Sequence, residues 1–206
     1  MDATNAIFYI VILVMSIVIH EVSHGFVAEY FGDETARRAG RLTLNPIPHL
    51  DIFGSILLPA LLVLSQSPFV FGWAKPVPYN PNNLSNRKWG TMAVAAAGVL
   101  SNLFIAILFG IIIRLASGFN MSVGFYFITS AIVIVNLALA IFNLIPIPPL
   151  DGSKILFSLL PESAFSFILA YEKYSLVLLL MFIVFFSDYL YPILAFLFHL
   201  ITGLLL

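Results

Sequence analysis

The sequence contains no cysteine, which removes disulfides, thiolate metal sites and cysteine nucleophiles together and leaves the redox compartment open. Charge is almost as scarce. Nine Lys and Arg and ten Asp and Glu make up 9% of the 206 residues, against about 25% in an ordinary soluble domain. So few charges cannot cover a water-exposed surface, which excludes soluble enzymes and disordered tails. A formal net charge of −1 offers no basic footprint, so nucleic acid is excluded as a partner. Internal repeats and low-complexity tracts are also missing, and no polar stretch is long enough for a soluble accessory domain. Residues 1–206 therefore read as a single membrane-embedded domain.

What the chain has instead is apolar. Hydrophobic residues are 61% of it, twenty of them Phe, and the mean hydropathy is +1.06. The apolar residues fall in long runs, which predicts an all-α polytopic membrane protein in contact with the lipid bilayer. The first run, residues 7–31, is about 37 Å long as a helix. It lacks the basic leader of a signal peptide and contains His20, Glu21 and His24, so it reads as a retained span. Residues 91–117 and 121–145 are clear spans, the second stopped by Pro146, Pro148 and Pro149. After a short helix beyond Ser153, two weaker runs follow at 174–187 and 190–206. The total is about five transmembrane helices.

Residues 52–72 are the exception. They are apolar but interrupted by Pro59 and by Ser65-Gln66-Ser67-Pro68, which leaves an uninterrupted part short of the ~20 residues a straight span needs. Six of the nine basic residues flank this segment: Arg37, Arg38 and Arg41 before it, Lys75, Arg87 and Lys88 after it. A re-entrant segment keeps all six on one face, as the positive-inside rule prefers. The expectation is a re-entrant or short hairpin segment with its basic flanks in the cytoplasm.

The chemistry is concentrated in His20-Glu21-Val22-Ser23-His24. Positions four apart share one face of a helix about 6 Å apart along its axis, so both imidazoles can reach one Zn²⁺. Glu21 lies beside the first ligand, where it can act as general base on a metal-bound water. Three ionisable groups within five residues of a span are costly unless they face a cavity or a partner. A third ligand is less obvious. His49 and Asp51 lie in a Pro-rich polar loop, where surface roles are common. Asp151 follows a proline-broken helix end, in Asn143-Leu-Ile-Pro146-Ile-Pro148-Pro149-Leu-Asp151-Gly152. On its own it divides evenly between a metal ligand and the N-cap of the next helix.

His-Glu-x-x-His in a membrane span, paired with a distal Asn-x-x-Pro-x-Pro-x-x-Asp-Gly, resembles the site-2 protease family of intramembrane zinc metalloproteases. Gly40-Arg-Leu-Thr-Leu-Asn-Pro46, Gly72-Trp-Ala-Lys-Pro-Val-Pro78 and Ala97-Gly98-Val-Leu-Ser-Asn102 are similar to stretches of its small bacterial members, those without a PDZ domain. The resemblance extends over about residues 18–156 and departs at Val99, where the family often has Pro. It implies one Zn²⁺ per chain, held by His20, His24 and Asp151, with Glu21 as catalytic base. It also implies that Asn143, Pro146 and Pro148 help hold an unwound substrate strand. The activity implied is hydrolysis of peptide bonds within or beside transmembrane segments of other membrane proteins, that is, regulated intramembrane proteolysis. The location implied is the bacterial cytoplasmic membrane.

Other residues carry weaker expectations. Segments 41–45 and 74–79 are loops or strands able to pair with a substrate by strand addition. Asn143 is either a donor to the developing oxyanion or an interhelical hydrogen bonder, and Asn136 has the latter role. Gly98, Asn102, Ala106 and Gly110 form a small-residue packing face, from which Asn102 could also orient a ligating ring. Arg114 is expected to snorkel and Lys154 to contact a headgroup, while His199 has no assigned role. The rival reading is a transporter or metal-permeation protein using the same His and Asp residues. A second rival is a catalytically silent membrane binding protein. Neither needs a general base between the two histidines.

Overall fold

Hydrocarbon offers no partner for a free N–H or C=O, so a chain this apolar must close its hydrogen bonds within helices. The computed structural model describes residues 3–65, 72–116 and 118–206, and among these there is no strand. The α-helices are α1 (Ala3–Tyr30), α2 (Thr35–Arg38), α3 (Leu58–Leu64), α4 (Arg87–Ala116), α5 (Val123–Asn143), α6 (Asp151–Leu159), α7 (Phe165–Lys173), α8 (Ser175–Phe186) and α9 (Leu190–Thr202).

Four stretches are long and apolar enough to cross a membrane: Thr4–Tyr30, Arg87–Ala116, Val123–Asn143 and Ser175–Thr202. The chain is a multi-pass integral membrane protein. The two C-terminal runs, expected as separate helices, meet through one 3-10 turn at Ser187–Tyr189. Alone, their 12 and 13 residues are short of the ~20 a crossing needs. Pro192 does not separate them, because it falls in the first turn of α9, where its missing N–H has no intrahelical acceptor to lose.

The segment before the loop has its described ends joined to each other. Residues Ile52–Leu57 form a π-helix that runs into α3. The Trp73 N–H donates to the Gly54 carbonyl at 3.2 Å and the Lys75 N–H to the His49 carbonyl at 2.9 Å. The Ser55 hydroxyl donates to the Trp73 carbonyl at 2.8 Å. Residues 49–55 and 73–75, on either side of the segment, are thus tied together. The expected break at Gln66, Ser67 and Pro68 lies outside the described residues.

Helix α4 runs antiparallel to α1 and α5, which run parallel to each other with Tyr9 against Phe127 and Ser16 against Asn136, and the three form the centre of the bundle. In lipid there is no hydrophobic drive between helices, so small residues and buried polar pairs set their approach. Gly98, Asn102, Ala106 and Gly110 are all buried along α4. Asn136 donates to the Ser16 hydroxyl at 2.9 Å across α5 and α1, the structural role expected for it. Ala106 and Ile113 pack with Val133, Leu137 and Phe198, joining α4, α5 and α9.

The C-terminus of α1, the N-terminus of α4, the C-terminus of α5 and all of α6 gather at one end. The six basic residues flanking the re-entrant segment belong to that end. Arg114 lies at the other, but it does not snorkel. It donates to the carbonyls of Leu200 at 2.5 Å and Ile201 at 2.7 Å, where a cation meets the partial negative charge of the α9 C-terminus.

Candidate metal centre

Antiparallel packing of α1 and α4, followed by the return of the chain after α5, brings three distant donors together. Asp151 Oδ2 lies 3.1 Å from His20 Nε2 and 3.2 Å from His24 Nε2. The three residues are 5%, 6% and 8% exposed, respectively. Zn–N and Zn–O bonds of about 2.0–2.1 Å in a tetrahedron place neighbouring donors about 3.3–3.4 Å apart. The observed separations nearly equal that edge, and the donor set of two imidazoles and a carboxylate suits zinc. The His24 Nδ1 hydrogen bonds to the Val94 carbonyl at 2.6 Å, which leaves Nε2 free to face the other donors. The rings of His20 and His24 meet edge to face, 4.6 Å between centroids.

Glu21 belongs to the same cluster. Its Oε2 accepts the backbone N–H of Val77 at 2.8 Å, so segment 74–79 runs directly over the site. Together these residues enclose a cavity of about 120 Å³, lined also by Pro76, Tyr79, Val94, Asn143, Pro149 and Lys154.

Two glycines create the room. A Cβ on Gly98 would lie 2.5 Å from His20 Cε1 and 2.6 Å from His24 Cε1, so the bare backbone there is what admits both rings. A Cβ on Gly152 would run into the Leu144 carbonyl oxygen. The Asp-Gly pair therefore has a steric origin: the glycine lets the chain fold back against the end of α5, which delivers Asp151. A cis peptide bond joins Pro148 to Pro149 in this turn. The carbonyl of Pro146 accepts the Tyr171 hydroxyl at 2.9 Å, and the wall of the cavity is Pro149 rather than Pro146 or Pro148.

The remaining candidates separate clearly. Asp151 begins α6 as its first helical residue rather than its cap. His49 is buried with Nε2 on the Thr43 carbonyl at 3.0 Å, and Asp51 caps the π-helix by accepting the Gly54 N–H at 2.7 Å. Neither joins the cluster. Asn143 lines the cavity, and its amide donates to the Leu139 carbonyl at 3.0 Å. Asn102 is fully buried one turn beyond Gly98 on α4. Among the described residues, its Nδ2 and the His20 Nδ1 are both buried without a hydrogen-bond partner.

Strand addition along segment 74–79 is constrained. The Lys75 N–H is used by His49 and the Val77 N–H by Glu21, while Pro76 and Pro78 have none. The Lys75 carbonyl accepts Arg41 at 2.7 Å. The far end of the segment is held by Asp33, which is fully buried and accepts the Asn80 N–H at 2.6 Å and the Asn83 amide at 2.8 Å. Burial would raise the Asp33 carboxyl, but its hydrogen bonds from Thr35, Asn80 and Asn83 outweigh that and hold it below the usual carboxylate range.

Sequence reasoning missed two residues. Gly98 was legible only as helix packing, and its four-residue spacing gave no sign that its face carries both imidazoles. Lys154 does not reach out to a headgroup: its Nζ lies 3.5 Å from Asp151 Oδ1. The position of Lys154 one helical turn after Asp151 was the available signal.

Residues 110–187 match the family described as Peptidase family M50. Over 179 residues the chain is 38% identical to the Bacillus subtilis (strain 168) protein named "Putative zinc metalloprotease YwhC", a stretch covering 84% of this chain and 78% of that one. Over 140 residues it is 29% identical to "Putative zinc metalloprotease Rip2" of Mycolicibacterium smegmatis, covering 67% of this chain and 51% of that relative. No solved structure matches. With its apolar spanning helices, the chain belongs to peptidase family M50, the site-2 protease family, and is a membrane zinc metalloprotease.

Proposed function

We propose that residues 1–206 form one membrane-embedded protease domain that hydrolyses peptide bonds within or beside transmembrane segments of other membrane proteins. The observation that carries this reading is the convergence of His20 Nε2, His24 Nε2 and Asp151 Oδ2, with Glu21 beside them, in a cavity between spanning helices. His20, His24 and Asp151 would hold one zinc ion per chain. When bound, zinc supplies Lewis acidity, polarising a carbonyl and making water acidic near neutral pH.

The protein's own groups do the rest. Glu21 takes the proton of the attacking water and returns it to the leaving amine. The Val77 N–H on Oε2 fixes the carboxylate and leaves Oε1 to move that proton. Asn143, on the cavity wall, has one amide hydrogen beyond its bond to Leu139 to offer the carbonyl oxygen as it gains charge. Pro146 and Pro148 stiffen the turn beside it and support an unwound substrate strand there. Asn102 orients the His20 ring. Its Nδ2 and the His20 Nδ1, both buried without a hydrogen-bond partner among the described residues, are the groups this role concerns.

The concentration of basic residues at the end bearing the site supports a cytoplasmic orientation in the bacterial inner membrane. The test is co-expression of the wild type and Glu21→Gln with candidate single-span proteins. A substrate accumulates uncut with Glu21→Gln, whose zinc content stays at the wild-type level. Equal cleavage by both proteins refutes the role of Glu21.

A further inference from the structure

We propose that Lys154 is a positioning residue that makes Asp151 a one-oxygen ligand and so keeps the metal's fourth position open. The inference rests on the metal-site reading above and goes beyond it. The two carboxylate oxygens of Asp151 have different surroundings. Oδ2 faces His20 Nε2 and His24 Nε2 at 3.1 and 3.2 Å, while Oδ1 faces the Lys154 ammonium at 3.5 Å. Asp151 is almost fully buried, and a buried carboxylate oxygen demands a cation or a donor. Without Lys154, the strongest remaining attraction on Oδ1 is the metal itself. A carboxylate that turns to bind through both oxygens would add a fifth donor beside the bound water and crowd the position that catalytic zinc sites reserve for water and substrate.

The arrangement is built into the fold. Asp151 and Lys154 are three apart at the start of α6, so one helical turn presents the ammonium to the carboxylate. The ammonium also lies over the Tyr79 ring, 5.7 Å from its centroid. Its half-exposed stem approaches from the mouth of the cavity. A cation held between Tyr79 and Oδ1 acts on the metal only through the ligand it orients.

The test uses cobalt in place of zinc in the detergent-purified full-length protein, since the visible bands of Co²⁺ weaken as coordination rises from four to five. Lys154→Met removes the charge and keeps the stem, and Lys154→Arg restores the charge. The expected result is strong four-coordinate bands in the wild type and Lys154→Arg. Lys154→Met should show weakened bands at full cobalt occupancy, with kcat lowered on the order of 10-fold at unchanged KM. A Lys154→Met spectrum identical to the wild type overturns the proposal, as does a Lys154→Arg spectrum like that of Lys154→Met. Asp151→Ala serves as the separate control. If it binds cobalt with the wild-type spectrum, the ligand assignment itself has failed, and the role of Lys154 falls with it. If Lys154→Met does not purify, Lys154→Gln is read in the same way.

Discussion

Replacing Gly98 with alanine adds a single methyl group to the face of α4 that the two histidines share. That carbon would sit 2.5 Å from His20 Cε1, 2.6 Å from His20 Nε2 and 2.6 Å from His24 Cε1. Non-bonded carbons rest about 3.5–4.0 Å apart, so the rings must retreat by about 1 Å. Metal–ligand distances tolerate only about ±0.2 Å. His24 has little freedom to retreat, because its Nδ1 is bonded to the Val94 carbonyl on the same helix as Gly98. Helices α1 and α4 must part, or the donor set must open. Zinc affinity should therefore fall by at least the 10–100-fold that accompanies loss of a ligand's supporting partner, and proteolysis should fall with it. The assay is competition for zinc with a chelator of known affinity, with helix content followed by circular dichroism. Gly110→Ala is the control. It creates a comparable collision with Ile201, about 18 Å further along the same helix. It should lower thermal stability and leave zinc affinity unchanged. Wild-type zinc affinity in Gly98→Ala, or equal weakening in both variants, would refute the reasoning.

Other outcomes follow from the same geometry. Asp151→Ala should lower zinc content as far as His24→Ala does, whereas His49→Ala and Asp51→Ala should keep their zinc, as measured by elemental analysis; the reverse pattern would overturn the ligand assignment. Gly152→Ala should lose both zinc and thermal stability, because its Cβ meets a backbone carbonyl that cannot rotate away; a fully metallated, stable variant would contradict this. Asp33 makes the loop at the end bearing the site sensitive to acid. Its folded-state pKa is depressed, so its stabilisation is complete above the unfolded value of about 3.9 and is lost as pH falls through the lower folded value. In metal-depleted protein, hydrogen exchange at the Asn80 amide should stay slow at pH 4 and quicken only below it. Exchange that accelerates well above pH 4 would show that Asp33 is not what holds the segment.

Much of this was legible in the chain because helices convert spacing into direction. His20 and His24 share a face whatever the rest of the protein does, and proline after Asn143 has to end α5. A run too short to cross, with basic residues on both its flanks, pointed to a re-entrant path, and the hydrogen bonds joining its described ends agree with that expectation. Contacts across the chain were a different matter. Asp151 is 131 residues from His20, and its place after a proline-broken helix end favoured it over His49 and Asp51 without separating a ligand from a helix cap. What decided it was the Gly152 backbone packing on Leu144, a tertiary contact. The same limit applies to segment 74–79. Its prolines suggested an extended strand open to a substrate, but only the fold shows its N–H groups turned inward to His49 and Glu21.

The cavity at the metal centre has one consequence for how the enzyme must work. Its volume of about 120 Å³ holds about four water molecules at ~30 Å³ each. An extended peptide advances about 3.3 Å per residue and is wider than that space. Water fits the site as it stands, whereas an extended strand needs it to widen. Pro76, Val77 and Tyr79 form the roof, stiffened by Pro76 and Pro78 and fastened at Lys75 by His49 and Arg41 and at Asn80 by Asp33. If the chain cleaves peptides as proposed, a strand can enter only where this strap shifts, and the Val77–Glu21 hydrogen bond must re-form over it to fix the carboxylate for the reaction. On that reading opening would enter the rate as a gate on the μs–ms timescale typical of such motions, and the residue proposed as the base would also be the latch.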